Sequence, residues 1–201
     1  MNRKSADKPA GYHHGDLRNA LIEAGIRLLR KVDANKLSLR AVAKEAGVSH
    51  AAPYRHFPDK NTLLAAIAHQ GFISLGERME KAISEHQNEP REWLPAIGLA
   101  YFSFASQRPE HFRIMTGGYM TDPKKYEEFE WIGKRTYENL VAIVARCQKE
   151  GLLPTGNPGD AALAFWSKIH GFTLLLLSGE LKFLNIDQRN ASAWFRRILA
   201  A

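Results

Sequence analysis

Residues 38 to 60, SLRAVAKEAGVSHAAPYRHFPDK, leave a chain few ways to fold. Ser38 is a good helix N-cap and Gly47 a good terminator, so Leu39 to Ala46 reads as one short helix. Ser49 caps a second start, and Pro58 stops that helix after about Phe57. Helices of this length are not stable alone in water, so both must pack against something. Just upstream, Leu17, Leu21, Ala24, Leu28 and Val32 recur at helical spacing, which predicts the partner: a helix over 17–32 capped by Asp16. Val42, Ala43, Val48 and either Tyr54 or Phe57 can then close one small core with Leu21 and Leu28. The outcome is a trihelical head with the spacing of a helix-turn-helix. Pro53 is the awkward residue. With Ser49 as N-cap it is the fourth helical position and forfeits only the bond to the Ser49 carbonyl. The Ser49 hydroxyl is expected to accept from Ala51 or Ala52.

Charge is concentrated in the same region. The chain of 201 residues carries a formal net charge of +7. Residues 1–60 hold 12 Lys and Arg against 6 Asp and Glu, or +6, whereas residues 61–201 hold 16 against 15. A basic segment beside a neutral one fits a polyanion-binding module joined to a second function. It also fits a basic, solvated N-terminus, and charge alone does not choose. With 45% hydrophobic and 24% charged residues the balance is that of a globular protein. The longest apolar run, Gly171 to Leu177, is far short of the roughly 20 residues of a membrane helix. The polar start lacks an apolar segment of the kind a secretion signal carries. One cysteine, Cys147, excludes an internal disulfide. A cytoplasmic protein with no membrane association is expected.

Past the head, Pro and Gly punctuate an all-helical pattern. Residues 1–13 read as a flexible basic arm. A long helix is expected over about 60–86, with Leu64, Ile67, Ala68, Gly71, Phe72 and Leu75 on one stripe. Others are expected at about 91–107, 109–116, 123–150, 160–178 and 188–200, so the fold class is all-α with about nine helices. The division is a head over 14–76, with the helix-turn-helix at about 38–57, and a larger helical body over 77–201.

The stretch LSLRAVAKEAGVSHAAPYRHFPDKNTLLAA resembles the DNA-binding motif of the tetracycline-repressor (TetR) family. The match lies in Ala43, Gly47-Val48-Ser49, Tyr54-x-His56-Phe57, Lys60 and Leu63-Leu64, and it extends upstream through YHHGDLRNALIEAG. Pro53 departs from the family, which more often has a larger apolar residue there. The resemblance implies a phosphate contact at Ser38 and a phosphate or base contact at Arg40. It implies phosphate contacts at Tyr54, His56 and Lys60, and base reading at His50, Ala51 and Ala52. The residue chemistry agrees. Lys60 lies in a helix N-terminal turn that already favours phosphate, Arg40 can reach guanine O6 and N7 together, and alanine methyls suit thymine. Ser49 and Arg55 complete the candidate DNA-contact set. Taken singly, Tyr54 also reads as a core aromatic and His56 as a surface histidine; the motif favours contact.

In the body, FWSKIHGFTLLLLSGEL resembles the Trp-x3-His-Gly segment that names one C-terminal subclass of the family, here Trp166, His170 and Gly171. The resemblance implies a small-molecule effector bound between body helices and a four-helix homodimer interface from the last two long helices. It also implies a palindromic double-stranded DNA operator, from which effector binding releases a repressor. Phe102, Phe112, Met115, Tyr119, Trp131, Tyr137, Phe165, Trp166 and His170 are the candidate effector contacts, although aromatics at helical spacing also read as plain core. Gly171 reads as a site of close helix approach. Leu174, Leu177, Trp194, Phe195 and Ile198 are the candidate dimer contacts. No cofactor and no metal is expected, and no catalytic constellation is apparent: His13, His14 and Asp16 look like a metal cluster on paper but fall in or beside the polar arm. A sequence-independent DNA binder and a helical enzyme are the alternative readings.

Overall fold

A computed structural model describes residues 14–119 and 127–200; within those ranges it gives no side-chain account of residues 14–16, 127–131 and 200. His13 and the side chains of His14 and Asp16 therefore lie outside the described part. Eight α-helices occur among the described residues: α1 His14–Leu29, α2 Leu39–Glu45, α3 Lys60–Glu85, α4 Trp93–Gln107, α5 Pro109–Thr116, α6 Glu127–Lys149, α7 Pro158–Ser178 and α8 Ala191–Ala200. No strand is present among them. The chain divides into two compact units, the first reaching Leu64 and the second starting at Ala65.

In the first unit α1 packs against α2. Its core is Leu21, Ile22, Leu29, Leu39, Val42, Ala43, Phe57 and Leu63. Ser38 caps α2 as expected, its Oγ accepting from Ala41 N–H at 3.2 Å. Gly47 ends it with φ 70°. The Gly47 N–H bonds the Lys44 carbonyl and the Val48 N–H the Ala43 carbonyl, the paired bonds of a left-handed helix stop. Two expectations are corrected. Helix α1 stops at Leu29, so Val32 lies in the following turn and is exposed. It begins at His14, which puts Asp16 within its first turn.

The larger correction is at Pro53. Residues 49–57 are not an α-helix but a turn followed by a 3₁₀ turn, Pro53–Arg55. The Ala52 N–H bonds the Ser49 backbone carbonyl at 3.0 Å, and Arg55 and His56 bond Ala52 and Pro53 in the same three-residue pattern. Proline has no N–H to give the Ser49 carbonyl, so the preceding alanine takes that acceptor one residue early. Pro53 itself starts the 3₁₀ turn and is buried, a position where its fixed φ costs nothing.

In the second unit the core runs through α4, α6, α7 and α8, with Ile97, Phe104, Val144, Ile169 and Phe195 fully buried. Gly98 leaves room on α4 for side chains of α8. A Cβ there would lie 3.0 Å from Leu199 Cδ1 and 3.2 Å from Phe195 Cδ1. Helix α7 buries Ala162, Phe165, Ile169, Phe172, Thr173 and Leu176, the spacing of one helical face. By length and composition alone it could cross a membrane, with mean hydropathy 1.3, although no uninterrupted apolar run is that long. That buried face packs into the core of the unit, while Leu163, Trp166, Leu174 and Leu175 are exposed.

Candidate functional site

The head brings most of the sequence-derived contact residues to its surface. Ser38, Arg40, Ser49, His50, Ala51, Tyr54 and Arg55 are exposed, and Ala52, His56 and Lys60 are half-buried. Helix α2 packs directly against the Pro53–Arg55 turn, so the two segments form one surface. Tyr54 is 51% exposed, which rules it out as core; Phe57, 1% exposed, fills that role instead. The Arg18 guanidinium lies 5.5 Å from the Phe57 ring centroid, and the His56 ring tilts against the same phenyl. Two links hold the arrangement. Arg27 Nε donates to Glu45 Oε1 at 2.9 Å, joining α1 to α2 and holding the Glu45 carboxyl below its usual range. Lys60 Nζ donates to the Asn35 carbonyl at 3.0 Å, tying the start of α3 to the 3₁₀ turn Ala34–Lys36. An ammonium has three donors, so two remain for another acceptor. Asp59 caps α3 through Thr62 N–H at 2.8 Å. Arg40 and Arg55 are exposed cations on this surface, and Lys60 is a half-buried one.

The aromatic residues of the body fall into two overlapping groups, which share Phe112. Phe102, Phe112 and Phe165 are core, with 9% exposure or less. Met115 packs where Gly71 leaves room on α3, and Tyr119 folds over Gly117. Around His170, by contrast, the rings form a polar-centred cluster. Tyr101 Oη lies 2.7 Å from His170 Nδ1. Phe112 and Trp166 flank the imidazole at 5.8 and 6.2 Å between centroids, and Tyr137 stacks beside Trp166 while donating to the Gly159 carbonyl. Burial pushes the Tyr101 phenol up to about 12 and the His170 imidazolium down, so both groups of the pair are favoured in their neutral forms. The Trp131 side chain lies outside the described residues.

None of the described side chains among these lines the recesses between α3 and α6. One, of about 520 Å³, lies among Met79, Ile83, Ile143 and Arg146. A smaller one lies among Phe72, Ile132 and Arg135. They share Gly76, Glu80, Thr136 and Asn139, so they form a continuous groove. A Cβ on Gly76 would meet nothing within 4 Å. Sequence inspection missed this groove because it is lined by two helices distant in sequence. The signal was present: Phe72, Gly76, Met79 and Ile83 recur on one side of α3.

The candidate dimer residues fare unevenly. Leu174 is 45% exposed, and Leu177, Trp194 and Ile198 are half-buried against their own core. Phe195 is fully buried between Phe102 and Phe172 and cannot touch a second chain. Its helix turns its apolar side inward and leaves Ser192, Ala193, Arg196 and Arg197 outside. Helix α7 has a second open side that the sequence reading named only at Leu174. Leu163, Ser167, Gly171, Leu174 and Ser178 follow one another at helical spacing there, and a Cβ on Gly171 would meet nothing of its own chain.

Two family models match the chain. One, described as bacterial regulatory proteins of the tetR family, covers residues 21–67; the other, described as a tetracyclin repressor-like C-terminal domain, covers 94–201. The HTH-type transcriptional regulator BetI of Yersinia pestis (strain Pestoides F) is 31% identical over 168 residues, 81% of this chain and 82% of that protein. A solved protein of unknown function from Rhodococcus sp. RHA1 is 35% identical with a TM-score of 0.79, over 97% of this chain and 100% of that one. At 20% identity the fold alone is shared with AibR, solved in complex with isovaleryl coenzyme A and operator DNA, at a TM-score of 0.62 over 76% of this chain and 83% of that one.

Proposed function

Because the chain belongs to the tetR family of bacterial regulatory proteins, with a DNA-binding N-terminal domain and a ligand-binding C-terminal domain, we propose that it is a homodimeric repressor released from a palindromic operator by a small molecule. The observation that carries the DNA reading is the exposed, basic surface of Ser38, Arg40, His50, Tyr54 and Arg55 on a head whose core is closed without them. Tyr54, His56 and the two remaining donors of Lys60 hold phosphates. Arg40, His50 and the Ala51 and Ala52 methyls read bases. Lys60→Ala is expected to weaken binding to all duplexes alike and to reduce the slope of log affinity against log salt by about 1. A sequence-dependent loss would instead make Lys60 a base reader.

The dimer reading rests on the open side of α7. Small residues at Ser167 and Gly171 between Leu163 and Leu174, and at Ser178 beyond them, suit the close approach of a two-fold related α7. The Trp166-His170-Gly171 segment supports placement in the Trp-His-Gly subclass. Gly171 then serves an approach between chains, not within one.

Effector binding is best accommodated in the α3–α6 groove, since α3 continues from the head into the body. A molecule wedged there shifts α3, and operator affinity falls by the coupling free energy. Gly76→Leu projects a side chain into the groove from a Cβ that meets nothing within 4 Å, and removes a helix-breaking glycine, worth up to about 1 kcal/mol to α3. The variant is expected to bind operator as wild type does and to lose release by whichever metabolite releases wild type. Undiminished release would place the effector elsewhere, with the Tyr101–His170–Trp166 cluster the next location.

A further inference from the structure

The segment between α7 and α8 holds a large apolar side chain in solvent on a backbone built to keep it there. Gly179 closes α7 at φ 77°, and a 3₁₀ turn, Lys182–Leu184, follows. Asn185, at φ 57°, is the only non-glycine in the left-handed region among the described residues. Its carbonyl accepts from Asn190 Nδ2 at 2.8 Å, and Asn190 Oδ1 accepts from the Asp187 N–H at 3.0 Å. Ile186, 4% exposed, anchors the loop to the core. On this frame Phe183 is 80% exposed and Leu184 52%. An ordered backbone presenting an exposed ring has met its ordering cost before any partner arrives, and buried aromatics dominate interface energetics.

Beside the ring the same loop forms a recess of about 410 Å³ lined by Lys182, Asn185, Ile186, Asp187, Arg189 and Asn190. The Arg189 guanidinium is held by Asp187, with Nε at 2.9 Å from Oδ2, while its backbone N–H bonds Oδ1 at 2.9 Å. A guanidinium fixed in this way offers a flat cationic face to an aromatic ring, and Asp187 brings no unpaired charge to the recess.

We propose that Phe183 of one copy seats in this recess of a second copy, its ring against Arg189. The proposal rests on the homodimer reading and adds a contact outside the α7 face. A second copy is the fitting occupant because projection and recess lie within one nine-residue loop. A two-fold axis beside that loop satisfies both copies at once, as a self-complementary interface requires. The loop also continues directly from α7, whose open side carries Leu163, Leu174 and Leu175.

Sedimentation of wild type and Phe183→Ser over a wide concentration range tests this, with circular dichroism as a check on folding. Since Phe183 is mostly outside its own chain, the variant is expected to fold normally and to show a dimer dissociation constant at least tenfold higher. A wild type that stays monomeric throughout removes the homodimer reading and this contact with it. A dimeric wild type with an unchanged constant in Phe183→Ser overturns this contact alone. If the variant misfolds, a photo-crosslinking phenylalanine analogue at position 183 decides. Cross-links to residues 182–190 of a second copy support the contact, and cross-links only elsewhere, or to another protein, overturn it.

Discussion

Phe195→Ala is expected to destabilise the body by about 3–5 kcal/mol, the cost of removing a fully buried aromatic and leaving its cavity. Phe195 meets Phe172 edge-on at 4.8 Å, packs on Phe102 at 5.7 Å, and lies where Gly98 lets α8 approach α4. Truncation therefore opens a void shared by α4, α7 and α8, and their ring-lined walls cannot collapse into it without moving a helix. The four tryptophans, Trp93, Trp131, Trp166 and Trp194, all belong to the body. Their fluorescence reports its unfolding separately from the head. In urea the fluorescence midpoint is expected to fall by roughly 1–3 M. A shift of a few tenths molar would mean that α8 is held by something other than this contact.

Arg40→Ala is expected to cost about 1–3 kcal/mol on the preferred operator and to relax sequence preference at one position of each half-site. Arg40 is exposed at the start of α2, beside the Pro53–Arg55 turn. On the proposed reading it is the long side chain that reaches bases from α2, whereas the alanines offer only methyls. His50→Ala should act at a neighbouring position with a smaller loss. Titration against the operator and against single-base variants checks both. If neither substitution changes the ranking of the variants, base reading does not rest on this surface.

The helical frame was legible because glycine and proline mark its breaks and each helix buries a stripe. Helix α5 begins at Pro109 and α2 ends before Gly47, both as their residue types require. The segment from Ser49 to Phe57 was misread because a helical pattern counts side chains and not donors. Pro53 removed the N–H on which the α-helical bond to Ser49 depended, and the chain closed that carbonyl one residue early. The change of backbone leaves Ser38, Arg40, His50 and Tyr54 exposed, so the expected contacts are not blocked by it. Phe195 was misassigned for a different reason. An amphipathic α8 has one apolar side, and spacing cannot say whether its own core or a twin covers that side. Gly98 on α4, which decides it, is far away in sequence. The α3–α6 groove exists only once two distant helices face each other.

Selection of duplexes from a random pool by the purified full-length protein, read by sequencing and repeated at rising salt, tests the central claim most directly. A two-fold symmetric site should emerge, with half-sites about 34–36 Å apart and one dimer bound per site at the selected salt. A pool that emerges unchanged in sequence, bound only through a steep salt dependence, would contradict it and leave a protein that holds DNA without reading it.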